Sequence, residues 1–267
     1  MDWTAGRERL NAPMFAPLRP AIERLPRDGW PTHADLTAAA RGTATSRGMP
    51  VRFVLPREHT DRERRYYELR IAETGEIETR VENWHDLFNA LAWITYPRAK
   101  AAINAQHAAI LGERGDVEAR NRGPERDSLT LFDEGGVAVV STDPALFRLI
   151  VDFQWKALFW NRREELARQM LFLGFGHALF EQAMAPYLGM VAKTVFIPVE
   201  EIPTGEGLAG FVDRALAGHF ADRSRFATPK LMAPMPVLGV PGWHPGTGDE
   251  SFYDDHDHFR SKGASQR

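Results

Sequence analysis

A chain of 267 residues, 43% hydrophobic and 26% charged, is long enough to bury a sizeable core and too apolar to be disordered. Its formal net charge of −3 lacks the basic excess that phosphate neutralisation requires, so nucleic acid is not favoured as a partner. The lack of cysteine removes disulfides, thiolate nucleophiles, iron–sulfur clusters and cysteine zinc sites, and suits a reducing compartment.

No apolar run follows the start Met1-Asp2-Trp3, so no signal peptide is expected. The longest uncharged apolar stretch, Gln169 to Phe180, is shorter than the about 20 residues that cross a bilayer. A cytoplasmic protein without membrane association is the expectation.

Residues 1–50 are rich in proline, alanine, glycine and arginine and read as an arm packed on the remainder, 51–267, which reads as one α+β domain. Trp3, Phe15 and Trp30 are costly to leave in water. Short helices are expected at Ala21–Leu25 and from Thr32 to Ala40, with Thr32 as cap.

From Arg65 the pattern suggests a β-hairpin. Tyr67-Glu-Leu-Arg-Ile and Ile77-Glu-Thr-Arg-Val alternate with period two around Glu73-Thr-Gly75-Glu. Asn83 then caps a helix with the apolar stripe Trp84, Leu87, Phe88, Leu91 and Ile94, and Pro97 opens a second helix running to about Leu111. After a charged loop, Glu113–Arg126, the order repeats: a hairpin around Asp133-Glu-Gly135-Gly, a helix started by Asp143-Pro144, and another opened by Asn161. Two hairpin–helix-pair units, about 65–111 and 127–186, would fit an internal duplication. An extra strand at Lys193–Val199, a helix at Leu208–Phe220 and a proline-rich C-terminal loop complete the expected α+β fold.

Candidate chemistry lies on the helices. At about 100° per residue, His85, Asp86 and Asn89 fall opposite the apolar stripe together with Trp93, which implies that this face is covered too. Lys100, Asn104 and His107 form a row at i, i+4 and i+7, placing an ammonium, a carboxamide and an imidazole where they could hold a polar or anionic group or move a proton. A solvated helix face is the plainer alternative. Arg126-Asp127, ahead of the expected second hairpin, could pair across to these histidines. Gly174-Phe-Gly176-His177 puts two glycines in an expected helix interior at a cost of roughly 2 kcal/mol, which suggests a break or a close backbone approach beside His177, with Glu181 one turn on. Trp243-His244 could wall a pocket, and Asp254-Asp255-His256-Asp257-His258 has a metal-binding composition but suits a solvated acidic stretch. No His-Glu-x-x-His, P-loop, Rossmann fingerprint or Gly-x-Ser-x-Gly elbow is present.

The runs Asn83-Trp-His-Asp-Leu-Phe-Asn-Ala-Leu-Ala-Trp and Tyr96-Pro-Arg-Ala-Lys-Ala-Ala-Ile-Asn104-Ala-Gln-His107 resemble the domain of unknown function 3025 family. So do Arg126-Asp-Ser-Leu-Thr-Leu-Phe-Asp-Glu, Phe175-Gly-His-Ala-Leu-Phe-Glu and Pro236-Val-Leu-Gly-Val-Pro-Gly-Trp-His-Pro. The resemblance spans about Asn11 to Arg260. It implies a bacterial, intracellular protein and brings no activity, cofactor or catalytic residue.

The functional expectation is therefore a pocket lined by histidines and carboxylates that binds a small polar or anionic ligand. A catalytic version would use His85, His107, His177 and Asp127, with metal-assisted hydrolysis as its best-defined form and the cofactor left unknown. Asp86, Asn89, Lys100, Asn104, Arg126, Glu181 and His244 would contact ligand. The alternative is a structural or protein-interaction module with buried polar networks.

Overall fold

The computed structural model describes residues 2–205 and 207–262; Met1 and the expected domain end at 263–267 lie outside them. It is an α+β fold. The arm forms α1 (Trp3–Arg9), α2 (Arg19–Ile22) and α3 (His33–Ala39), followed by β1 (Arg52–Val54), α4 (Asp61–Arg65), α5 (Tyr67–Thr74) and β2 (Glu76–Glu78). Next come α6 (Trp84–Thr95), α7 (Pro97–Arg120), α8 (Pro124–Gly135), β3 (Gly136–Ser141), α9 (Pro144–Val151), α10 (Arg163–Gln169) and β4 (Met170–Gly174). The last elements are α11 (His177–Ala183), β5 (Val191–Pro198), α12 (Gly207–Ala221) and β6 (Pro234–Pro236).

Capping chemistry sets many of these boundaries. Thr32 and Asp35 form a reciprocal capping box at α3, the Asn83 side chain accepts from the Asp86 N–H at α6, and Asp143 accepts from the Ala145 N–H ahead of Pro144 in α9. Trp3 and Phe15 of the arm are buried. Trp3 stacks on Trp84 at 5.8 Å, and Phe15 stacks on Phe88 of α6 and Phe180 of α11 at 5.7 and 5.8 Å.

Both expected hairpins are instead a helix followed by a strand. In α5, Tyr67 and Ile71 lie four apart as well as alternating by two, and Gly75, at φ +72°, closes the helix with its N–H on the Ile71 carbonyl at 2.8 Å. In α8, Leu129 and Phe132 are buried, and Asp133-Glu-Gly135 is its last turn. The two strands belong to different sheets: β2 pairs in parallel with β1, with Phe53 opposite Ile77, whereas β3 lies inside the sheet ordered β4-β3-β5-β6. Among the described residues neither expected hairpin forms, and the internal duplication is not confirmed. The expected loop Glu113–Arg126 is also mostly helical, because α7 resumes after an interruption at Gly115 and α8 begins at Pro124.

β3 runs parallel to β5 and antiparallel to β4. It is buried along its whole length, with Val137 and Val139 packed on one side and Ala138 and Val140 on the other, as a central strand covered on both faces requires. The helix expected after Asn161 is only α10; the chain then enters β4, so Gly174 and Gly176 sit outside helix interiors. The close approach is real. A Cβ on Gly176 would lie 2.3 Å from the Glu134 carbonyl oxygen, and one on Gly174 would lie 2.7 Å from the Phe180 ring. This contact seats the start of α11 against the end of α8.

Candidate functional site

Helix α6 has two working faces. Leu87, Phe88 and Leu91 pack with the arm, while His85, Asn89 and Trp93 face a cavity of about 590 Å³. The same cavity receives Lys100, Asn104 and His107 from α7, each at most 4% exposed. The row is thus no solvated face. Helix α8 adds Arg126, Thr130 and Asp133, again at i, i+4 and i+7, and α11 adds His177 at its first position. Tyr67 and Glu68 come from α5.

One wall is a saturated ion pair. The Lys100 ammonium donates to both Asp133 carboxylate oxygens at 2.6 and 2.8 Å and to Asn89 Oδ1 at 2.9 Å, and it lies 5.5 Å from the centre of the Trp93 ring. Burial opposes ionisation of Asp133, but the charge and hydrogen bond of Lys100 together with the fields of His177 and His107 outweigh it and hold the carboxyl below the ordinary range.

The three histidines are held in distinct ways. Nδ1 of His177 lies 2.8 Å from the Asp133 backbone carbonyl; a carbonyl only accepts, so this nitrogen carries the proton and Nε2 is left as an acceptor. Burial pushes the His177 pKa down to about 4. Nδ1 of His107 accepts from Arg126 Nε–H at 3.2 Å, which leaves Nε2 as the N–H, and burial with the adjacent guanidinium lowers its pKa to about 3. His85 faces the Glu181 carboxylate through Nδ1 at 2.8 Å. Its ring meets that of His177 edge-on.

The floor carries an uncompensated acid. Asn104 Nδ2 donates to the Glu68 carbonyl at 2.8 Å and to Glu68 Oε2 at 2.7 Å, and Asn104 Oδ1 is buried without a partner. Burial raises the Glu68 pKa against the opposing hydrogen bond from Asn104.

The cavity gathers His85, Asp86, Asn89, Lys100, Asn104, His107, Arg126 and His177, though Asp86 is committed to Arg80, whose backbone N–H and guanidinium it accepts at 2.7 to 2.9 Å. Three expected residues lie elsewhere. Asp127 is one residue round α8 from Arg126 and faces the charge of Lys193 on β5. Glu181 sits behind His85 and can only orient it. His244 accepts from the Gly246 N–H and stacks on Phe252 at 5.0 Å, in the C-terminal loop. In the acidic tail segment, His258 is buried and its Nδ1 accepts from the Gly189 N–H. Among the described residues, no three His, Asp or Glu side chains are grouped so as to hold a metal ion, so the donor set does not point to a metal centre.

Sequence reasoning missed Glu68, Tyr67, Arg64, Arg122 and Asp133 as lining residues. Treating 124–135 as helical would have found Asp133, through its spacing from Arg126 and Thr130. Reading 67–74 as a helix packed on the Lys100 row would have found Glu68.

A family model described as a protein of unknown function (DUF3025) matches residues 51–263. No curated protein and no solved structure matches the chain.

Proposed function

The chain belongs to the DUF3025 family of proteins of unknown function, and we propose that it binds a small polar ligand bearing an anionic group in this cavity and acts on it by proton transfer. One observation carries this reading: side chains from six separate helices, among them the buried Lys100, Asn104, His107 and His177, converge on one open hollow. Burying so many polar groups is costly unless they are paired, and stability alone is served as well by apolar side chains. The hollow's volume of about 590 Å³ lies within the range of small-molecule sites, although its lining is more polar than is usual for them.

The anion would be met by Arg64 and Arg122, exposed lining residues with no ion-pair partner among the described residues. For proton transfer, His85 is oriented by Glu181 with Nε2 left to accept. A thermal-shift screen of small carboxylates, phosphates and amino acids tests the reading. Some member of the panel should raise the melting temperature, and Arg122→Glu should abolish the rise. If no member stabilises the protein, or if Arg122→Glu responds like the parent, the reading is wrong.

The Lys100–Asp133–Asn89 trio favours a second, structural reading for that wall, because every ammonium hydrogen is already used. Under that reading the trio fixes the packing of α6, α7 and α8 and takes no part in chemistry.

A further inference from the structure

We propose that the corner formed by Glu68 and Asn104 takes a cationic, N–H-bearing end of the ligand, so that the substrate class is a small zwitterion. Its amine would sit at Glu68 and Asn104, and its carboxylate at Arg64 and Arg122. This rests on the ligand-binding reading above and goes further by assigning the two ends of the ligand.

Asn104 is 1% exposed, and its amide nitrogen bonds the carbonyl and carboxylate of Glu68. What remains is Oδ1, buried, unpartnered and able only to accept. Asn104 lines the cavity, so a ligand donor that reaches its unmet Oδ1 would complete the hydrogen bonds of the amide.

Glu68 makes the same demand. One carboxylate oxygen is held by Asn104, and among the described residues no arginine or lysine forms an ion pair with Glu68. The nearby cations are taken: Lys100 by Asp133, and Arg126 by the Glu118 carbonyl and His107. A half-buried carboxylate without a direct ion-pair partner favours an incoming ammonium, and burial raises the Glu68 pKa even though the charges of Lys100 and Arg126 oppose the rise. The bare Nε2 of His177, in the same lining, is a further acceptor.

An anionic group could not take this corner, where Glu68 would repel it and Asn104 offers it no free hydrogen. It fits the opposite sign of charge at Arg64 and Arg122, which are exposed and offer forked donors to a carboxylate. Acceptors in the depth and guanidinium groups toward solvent select a molecule with charge of both signs.

Calorimetric titration with amino acids and dipeptides, each beside its N-acetyl derivative and its C-terminal amide, tests the assignment. Blocking either end should weaken binding about tenfold or more, the usual size for a lost charge-assisted hydrogen bond. Glu68→Gln, nearly isosteric, should weaken the parent compounds by a similar factor and leave the N-acetyl forms unchanged. N-acetyl forms that bind as well as their parents, or a Glu68→Gln protein that binds the parents unimpaired, overturn the zwitterion assignment while the pocket reading stands. If neither these compounds nor inorganic phosphate and simple carboxylates bind, both fall together.

Discussion

The imidazoles of His85 and His177 meet edge to face, their centroids 4.6 Å apart and their planes at 81°. One is tied to Glu181 and the other to the Asp133 carbonyl. His85 is the partly exposed member and His177 the buried one, so the pair links the solvent side of the cavity to its wall. A positive charge on either ring disfavours a second on the other.

This arrangement gives stability a defined pH dependence. His177 titrates near 4 in the folded protein and His107 near 3, against 6.5 as the ordinary value. The unfolded chain therefore binds more protons throughout that window, and stability should fall as pH drops from about 6.5 toward 4, each group adding a slope of roughly 1.4 kcal/mol per pH unit. Glu68 acts in the opposite direction, since its raised pKa adds stability that is lost as pH rises through the folded value. Urea unfolding across this range should show the fall, His177→Gln should remove about one proton from its slope, and Glu68→Gln should steepen it. A flat profile in the parent protein would mean that the imidazoles are not buried as described.

The Lys100–Asp133 pair should behave as a unit. Lys100→Met strands a carboxylate in the wall and should cost about 3–5 kcal/mol. Adding Asp133→Leu removes the stranded charge and should recover much of that loss. A double-mutant cycle by urea denaturation measures the coupling; strictly additive effects would argue against the contact.

Two glycines separate the helical account of 124–135 from the hairpin it replaces. Gly135 is the last residue of α8, and a Cβ there meets nothing within 4 Å. Gly135→Ala should be neutral or stabilise by up to about 1 kcal/mol. Gly176→Ala drives a methyl group onto the backbone of Glu134 and should cost about 2 kcal/mol or more, with α11 and His177 displaced. Thermal unfolding of the two variants checks the contrast, and a destabilising Gly135→Ala would point back to a turn needing positive φ.

Some of this was legible in the chain, and the rest was hidden for definable reasons. Asn83, Thr32 and Asp143-Pro144 announced helix starts because their side chains cap locally. The polar row of α7 and the second face of α6 could be placed because both are long helices with a clear period. Tyr67–Ile71 could not, since residues two apart and residues four apart coincide in a short run. Glu-Thr-Gly and Asp-Glu-Gly-Gly deepened the error, because the same residues end a helix or turn a hairpin. A hairpin reading of these runs favours Asp127 over Asp133 and sets Glu68 on a strand. The convergence of six helices is tertiary and leaves no local trace.

The central claim is that this hollow is a ligand site, and filling it tests that claim most directly. Thr130 lines it from α8 and is only half-buried, so Thr130→Phe should occupy the space while the fold survives. Calorimetric titration of the tightest-binding panel compound should then give clear heats with the parent protein and none with Thr130→Phe. Equal affinity for the two proteins, with both shown to be folded, would place the ligand elsewhere and contradict the account.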